Sequence, residues 1–128
     1  MLKEYASKYP NKIKAYFMED EMGIGGAKNK GLIEADSEWI AFASGNDEID
    51  KNYYESLMAK ASHKDVDVVA SPYAVNKKGE MIEGEECNPY EYELEGQEII
   101  QFLLVNPGRL ENKIYKRSIF YDNGIWFP

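Results

Sequence analysis

The amino-acid sequence predicts an α/β layered domain, and three observations carry that prediction. Strand and helix patterns alternate through the first 75 residues. The stretch Glu38 to Ala43 is nearly all apolar and has the length of a buried strand. A glycine cluster at Gly23, Gly25 and Gly26 separates a strand pattern from a helix pattern. With 128 residues the chain is sized for one domain, and 44% apolar residues suffice for a core.

Each element has a local cause. Leu2 to Tyr9 reads as a short amphipathic helix with Leu2, Tyr5 and Ala6 on one side, ended by Pro10-Asn11. Ile13, Ala15 and Phe17 alternate with Lys12, Lys14 and Tyr16, the pattern of a strand with one buried face. The glycine turn then opens a helix from Ala27 to Ala35, and Glu38 to Ala43 is a strand covered on both faces. Asp50 is a good N-cap for a helix from Lys51 to Ser62. Asp67 to Val75 is a valine-rich strand; Asn76-Lys77-Lys78-Gly79 is a turn signal, and Glu80 to Ile82 returns as a hairpin. Glu83 to Glu98 reads as an acidic loop, and Glu98 to Val105 as a helix stopped by Asn106-Pro107-Gly108. Lys113 to Tyr115 is a short strand, and Arg117 to Asp122 a helical turn ending at Asn123-Gly124.

Composition removes several function classes. A net charge of −8 repels a phosphate backbone at long range, so nucleic acid is not an expected partner. Cys87 is the only cysteine, which excludes an internal disulfide and a cysteine-based zinc site. His63 is the only histidine and sits at a helix end, where an imidazolium suits the helix dipole. No apolar run approaches the roughly 20 residues that span a bilayer, and the N-terminus has no signal-like apolar core. The expected location is cytoplasmic, with the parent protein free or at the inner face of a membrane. Trp39 and Trp126 read as core residues, whereas Tyr90 and Tyr92 are either solvated loop aromatics or a platform for a sugar.

Two phosphate-binding motifs fail on inspection. Gly26 and Gly31 have Walker-loop spacing, but Leu32-Ile33 occupies the place of Lys-Ser/Thr. The dinucleotide fingerprint also fails, because Gly23-Ile24-Gly25 is followed by Lys28 where a third glycine is needed. A glycine turn opening a helix still exposes backbone N–H groups, with Lys28 and Lys30 beside them. From spacing alone this is either an anion site or a plain loop-to-helix connection. Ser44-Gly45-Asn46-Asp47-Glu48-Ile49-Asp50 follows a strand at its carboxyl end, where open α/β sheets bind ligands. Its acidic residues are either oxygen ligands for Mg²⁺ or Mn²⁺ or helix-capping groups.

Taken in order, these segments resemble family 2 glycosyltransferases. That family runs from a glycine turn into Ala-Arg-Asn-x-Gly, where this chain has Gly23-Ile24-Gly25-Gly26-Ala27-Lys28-Asn29-Lys30-Gly31. It then runs Ala-x-Gly-Glu-Tyr-Ile-x-Phe-Leu-Asp-Ser-Asp-Asp, against Ala35 to Asp47 here. Tyr53-Tyr54-Glu55-Ser56-Leu57, Asp65 to Val69, Asn112 to Arg117 and Gly124 to Pro128 continue the likeness, so it covers most of the chain.

The resemblance implies a partial GT-A domain over residues 1–128, a Rossmann-like three-layer α/β/α sandwich with a mostly parallel sheet and a C-terminal hairpin. It implies sugar transfer from a nucleoside diphosphate donor, usually UDP-linked, to a sugar or glycan acceptor hydroxyl in glycan or cell-surface polysaccharide synthesis. Lys28, Asn29, Ser44, Gly45 and Asn46 then fall at the donor, and Asp47 with Asn46 at a divalent cation, Mg²⁺ or Mn²⁺. Of the family's Asp-Ser-Asp-Asp only the last aspartate remains, so metal affinity is expected to be weak. A degenerate, non-catalytic transferase-like binding domain is the second reading. The family's Asp-Asp-Gly-Ser element and its Glu-Asp element with the catalytic base have no counterpart here, so no catalytic residue is assigned. This points to an excised or truncated piece, inactive alone, with an exposed sheet edge that either closes up or pairs in a homo-oligomer.

Overall fold

The computed structural model describes residues 1–18, 22–63, 65–71, 74–77, 80–83 and 109–128. They divide into two units, Met1–Ile33 with Trp126–Pro128, and Glu34–Ile125. The predicted loop and helix between Glu83 and Val105 lie, apart from Glu83, outside the described residues.

In the first unit, α1 (Leu2–Lys8) ends one residue before the predicted Tyr9 and buries none of its residues. Its Tyr5 stacks on Tyr9 with ring centroids 6.4 Å apart. The predicted strand Ile13–Phe17 is not a strand. Ile13 and Ala15 are half-buried and Lys14 exposed, so the alternation survives, but Phe17 is exposed. A strand exists through its backbone partners, and none of the described residues pairs with this segment. Side chains hold it instead, with the Lys3 ammonium 5.0 Å from the Phe17 ring and Lys30 4.9 Å from the Tyr16 ring.

Helix α2 (Gly23–Glu34) starts earlier than the predicted Ala27 and absorbs the glycine turn. The Gly26 N–H already donates to the Met22 carbonyl at 3.2 Å, so the helical ladder begins there. Gly23 has φ +65, a left-handed conformation that glycine adopts without strain. Gly25 and Gly26 serve space: a Cβ at Gly25 would strike the Pro128 carbonyl, and one at Gly26 would lie 2.5 Å from the Met22 Cβ.

In the second unit, β1 (Trp39–Ala41), β2 (Val68–Ala70) and β5 (Lys113–Lys116) form a sheet in the order β1-β5-β2. Both pairings are antiparallel, with Ile40 opposite Tyr115 and Val69 opposite Ile114. The expected mostly parallel sheet is therefore not what the described strands form. β1 and β2 do run in the same direction, as the strand–helix–strand pattern suggests, but β5 is inserted between them. Sequence pattern predicts strand direction through the crossover helix and says nothing of which strand fills the gap.

Both faces of this sheet carry a cluster. On one, Leu57 and Ala61 of α3 (Tyr53–His63) pack with Ile114, joined by Trp39, Tyr53 and Val69. On the other, Phe42, Tyr115 and Phe120 meet edge to face, with centroids 5.7 to 6.0 Å apart. Phe120 belongs to α4 (Ser118–Asp122). Along β1, Ile40 and Phe42 are buried, Trp39 is half-buried and Ala41 and Ala43 are exposed, so this strand is fully covered on one face only. Trp126, expected in the core, is 46% exposed.

Local chemistry sets where several elements end. The Asp50 side chain accepts from the Asn52 N–H at 2.8 Å and its carbonyl accepts from Tyr53 at 3.0 Å, so it closes a turn over Lys51–Asn52, and α3 starts at Tyr53 and not at the predicted Lys51. Gly124, at φ +60, closes α4: its N–H donates to Tyr121 O and that of Ile125 to Phe120 O, the paired bonds of a Schellman motif. The predicted strand Asp67–Val75 splits at Ser71, whose N–H donates to Asn112 O at 2.9 Å, into β2 and a separate β3 (Ala74–Lys77). β3 pairs antiparallel with β4 (Glu80–Glu83), Lys77 opposite Glu80, which is the expected hairpin; Asn76 and Lys77, read as part of the turn, are strand residues instead. This hairpin lies in mid-chain; among the described strands, the C-terminal β5 is not part of one.

Ile114 is 2% exposed and central to both pairings. Ile114→Ala should destabilise the fold by roughly 2–5 kcal/mol, read as a lower urea midpoint with an unchanged slope.

Candidate functional site

The residues assigned to donor and metal fall into the two units. Lys28 and Asn29 are half-buried on α2 in the first. Lys28 is the sixth residue of the helix, about 7.5 Å along the axis from its start at 1.5 Å per residue. The lysine therefore does not stand beside the helix N-terminus, as the predicted start at Ala27 implied. Its ammonium lies 5.5 Å from the centroid of the Phe127 ring. The Asn29 amide is committed to the same residue: Nδ2 donates to Phe127 O at 2.9 Å, and Oδ1 accepts from Phe127 N at 2.9 Å.

Ser44, Gly45, Asn46 and Asp47 form a tight turn where β1 runs out of the sheet in the second unit. The Asp47 N–H donates to Ser44 O at 3.1 Å, and the Ser44 N–H returns a bond to Asp47 Oδ2 at 3.2 Å. Ser44, Gly45 and Asn46 are exposed and Asp47 half-buried. One oxygen of the single retained aspartate is thus turned onto its own loop. Among the described residues, no three His, Cys, Asp or Glu side chains gather as a metal would require.

The turn adjoins the start of α3. The rings of Tyr53 and Tyr54 meet at 5.0 Å, and the Tyr53 hydroxyl donates to Glu111 O at 3.4 Å. Burial raises the pKa of both tyrosines; the negative charge of Asp47 adds to the rise at Tyr54, and Tyr54 itself to that at Tyr53.

The sequence reading missed a basic residue at this end of the sheet. Lys113 faces Ala70 across the ladder, one position beyond the Ala41–Ile114 pair that precedes the Ser44 turn. It is 8% exposed, and its ammonium donates to Arg109 O and Asn112 Oδ1, both at 2.7 Å. Asn112 in turn donates to Ser71 O at 2.8 Å. The Asn112-Lys113 pair within the resembling Asn112–Arg117 segment was the available signal.

A second feature lies at the opposite end of β1. Asp36, Glu38, Lys116, Arg117, Tyr121 and Asp122 line an open recess of about 400 Å³. Arg117 N donates to Glu38 O at 2.7 Å, its guanidinium lies 4.0 Å from the Tyr121 ring, and its Nε is buried with no hydrogen-bond partner among the described residues. Lys116 pairs with Asp65 and Asp67 at 3.2 Å each, surface pairs that contribute little. None of the predicted site residues is here.

Comparison with known proteins identifies a family. The family described as "Glycosyl transferase family 2" matches residues 1–122. The chain is 26% identical to a cholesterol galactosyltransferase of Borreliella burgdorferi, over 95% of this chain and 38% of that protein. It is 30% identical to EpsH of Bacillus subtilis, which bears a glycosyltransferase name, over 98% of this chain and 36% of that protein. It is also 35% identical to the minor teichoic acid biosynthesis protein GgaB of Bacillus subtilis, over 61% of this chain and 9% of that protein. The chain thus spans well under half the length of these relatives. No solved structure matches it.

The tyrosine pair makes a pH test of the turn. Folded Tyr53 and Tyr54 hold their protons above the ordinary value of 10.0, so stability is intact below pH 10 and falls as pH rises from there to the raised values. Asp47→Asn should move the Tyr54 titration back down, visible in tyrosinate absorbance, and leave Tyr53 nearly unmoved.

Proposed function

The chain belongs to glycosyl transferase family 2, and on that premise we propose that it is the donor-handling part of a sugar transferase. The reaction is transfer of a sugar from a nucleoside diphosphate sugar, UDP-linked in this reading, to the hydroxyl of a sugar or glycan. The observation that carries the proposal is the ordered match over residues 1–122. The teichoic acid name of one relative favours a cell-surface polysaccharide as the product. Among the described residues no helix is long and apolar enough to cross a membrane, and we assign the parent protein to the cytoplasm or the inner membrane face.

Cleaving the bond to the sugar leaves negative charge on the departing diphosphate, and a site for it must supply positive charge and hydrogen-bond donors. We assign Lys28 to that charge. The Ser44 hydroxyl, the Gly45 backbone and the Asn46 amide are the neutral donors and acceptors assigned to the nucleotide. Asp47 and Asn46 remain the candidate cation ligands, but the residues do not fit a divalent ion by themselves, since Asp47 is the one charged ligand of the pair and no three acidic, histidine or cysteine side chains gather among the described residues.

A second reading, a transferase-like domain that binds donor without catalysis, is favoured by one feature. Ser44 and Asn46 stand where the resemblance places carboxylates. Donor binding without turnover of UDP-sugars when the whole parent protein is assayed would support it.

Two measurements test the main reading. UDP or a UDP-sugar at about 100 times Kd should stabilise the chain by roughly 2.7 kcal/mol, seen as a higher Tm, and Lys28→Ala should weaken that response. No thermal shift with any nucleoside diphosphate or its sugar would sink the donor site. In calorimetry with Mn²⁺ alone, micromolar affinity would overturn the weak-metal assignment.

A further inference from the structure

The Phe127–Pro128 backbone is held on α2 by three contacts within one unit. The Asn29 side chain donates to Phe127 O and accepts from Phe127 N, both at 2.9 Å, as a neighbouring strand would. The Pro128 carbonyl lies where a Cβ at Gly25 would be, so only glycine permits this approach. The Phe127 ring lies 5.5 Å from the Lys28 ammonium, within cation–π range. Gly25, Lys28 and Asn29 lie within little more than one helical turn of each other. The two bonds fix the plane of the Asn29 amide toward the Phe127 backbone and leave it one N–H and one lone pair.

We propose that Asn29 is a positioning residue: it clamps the Phe127 backbone to α2, and through the Phe127 ring it sets where the Lys28 ammonium stands. The part that concerns Lys28 rests on the donor reading above. In that reading Lys28 touches the donor diphosphate, and Asn29 acts through Phe127 and Lys28 without touching the nucleotide. This revises the assignment of Asn29 as a donor contact and explains Gly25 by the same contact.

The test uses the full chain and has two readouts. The first is hydrogen exchange at the Phe127 amide by NMR. Asn29→Ala should speed it at least about tenfold, the loss of about 1.4 kcal/mol of local protection. Asn29→Asp keeps an acceptor for that N–H but cannot donate to Phe127 O, so it should fall between wild type and Asn29→Ala. Gly25→Ala, which leaves the asparagine in place, should also speed exchange by displacing Pro128. Unchanged exchange in Asn29→Ala and Gly25→Ala would overturn the clamp.

The second readout is UDP affinity in a double-mutant cycle. Lys28→Ala and Asn29→Ala should each weaken UDP, and the double variant should be little weaker than Lys28→Ala alone. Fully additive losses would mean that Asn29 acts on the nucleotide independently of Lys28, and would overturn the coupling. A wild-type chain that binds no UDP would sink the donor reading and the coupling with it, while Phe127 exchange would still decide whether Asn29 is a clamp.

Discussion

The sheet of the second unit depends on a single late strand. β5, at Lys113–Lys116, takes backbone hydrogen bonds from β1 on one side and β2 on the other. Its two central side chains then face opposite ways. Ile114 supplies the packing for Leu57 and Ala61 of α3, and Tyr115 supplies it for Phe42 and Phe120. Three residues of β1 and three of β2 are too short to be stable alone. What makes them strands is the partner between them.

The same strand determines what surrounds the Ser44 turn. Because β5 runs antiparallel, its N-terminal end arrives where β1 and β2 leave the sheet. It brings Asn112 and Lys113 there, a buried amide and a buried ammonium bonded to each other and to main-chain carbonyls. Such groups are tolerated in a core only when hydrogen-bonded, so they give the strand end one defined arrangement. The turn itself is built from its own atoms, with Ser44 and Asp47 exchanging two bonds. Its remaining groups are mostly neutral. That is the physical reason for separating family membership from metal-dependent chemistry in this chain.

On α2 the glycines have a different meaning from the one their spacing suggests. They read as a flexible loop that could cradle a phosphate. In the fold they lie inside the first turn of a helix, two of them because a side chain would collide with Pro128 or Met22. Close backbone approach and a flexible turn select the same residue type, so glycine spacing alone does not distinguish them.

The sequence by itself determined what depends on near neighbours: the Asp50 turn that leads into α3, the stop of α4 at Gly124, the pairing of β3 with β4 as a hairpin, and the spans of α1 and β5 to within a residue or so. Each is a matter of one or two dihedral preferences and a hydrogen bond a few residues away. The ordered residues from Gly23 to Tyr54 also carried the family. Only the tertiary structure decided the rest. The order β1-β5-β2 brings together segments dozens of residues apart, and the Phe127 partner of Asn29 is 98 positions away. Ile13–Phe17 had a strand's alternation without a strand's partner. Alternation records which face is covered, whereas a ladder needs a second backbone, and no local pattern says where that backbone comes from.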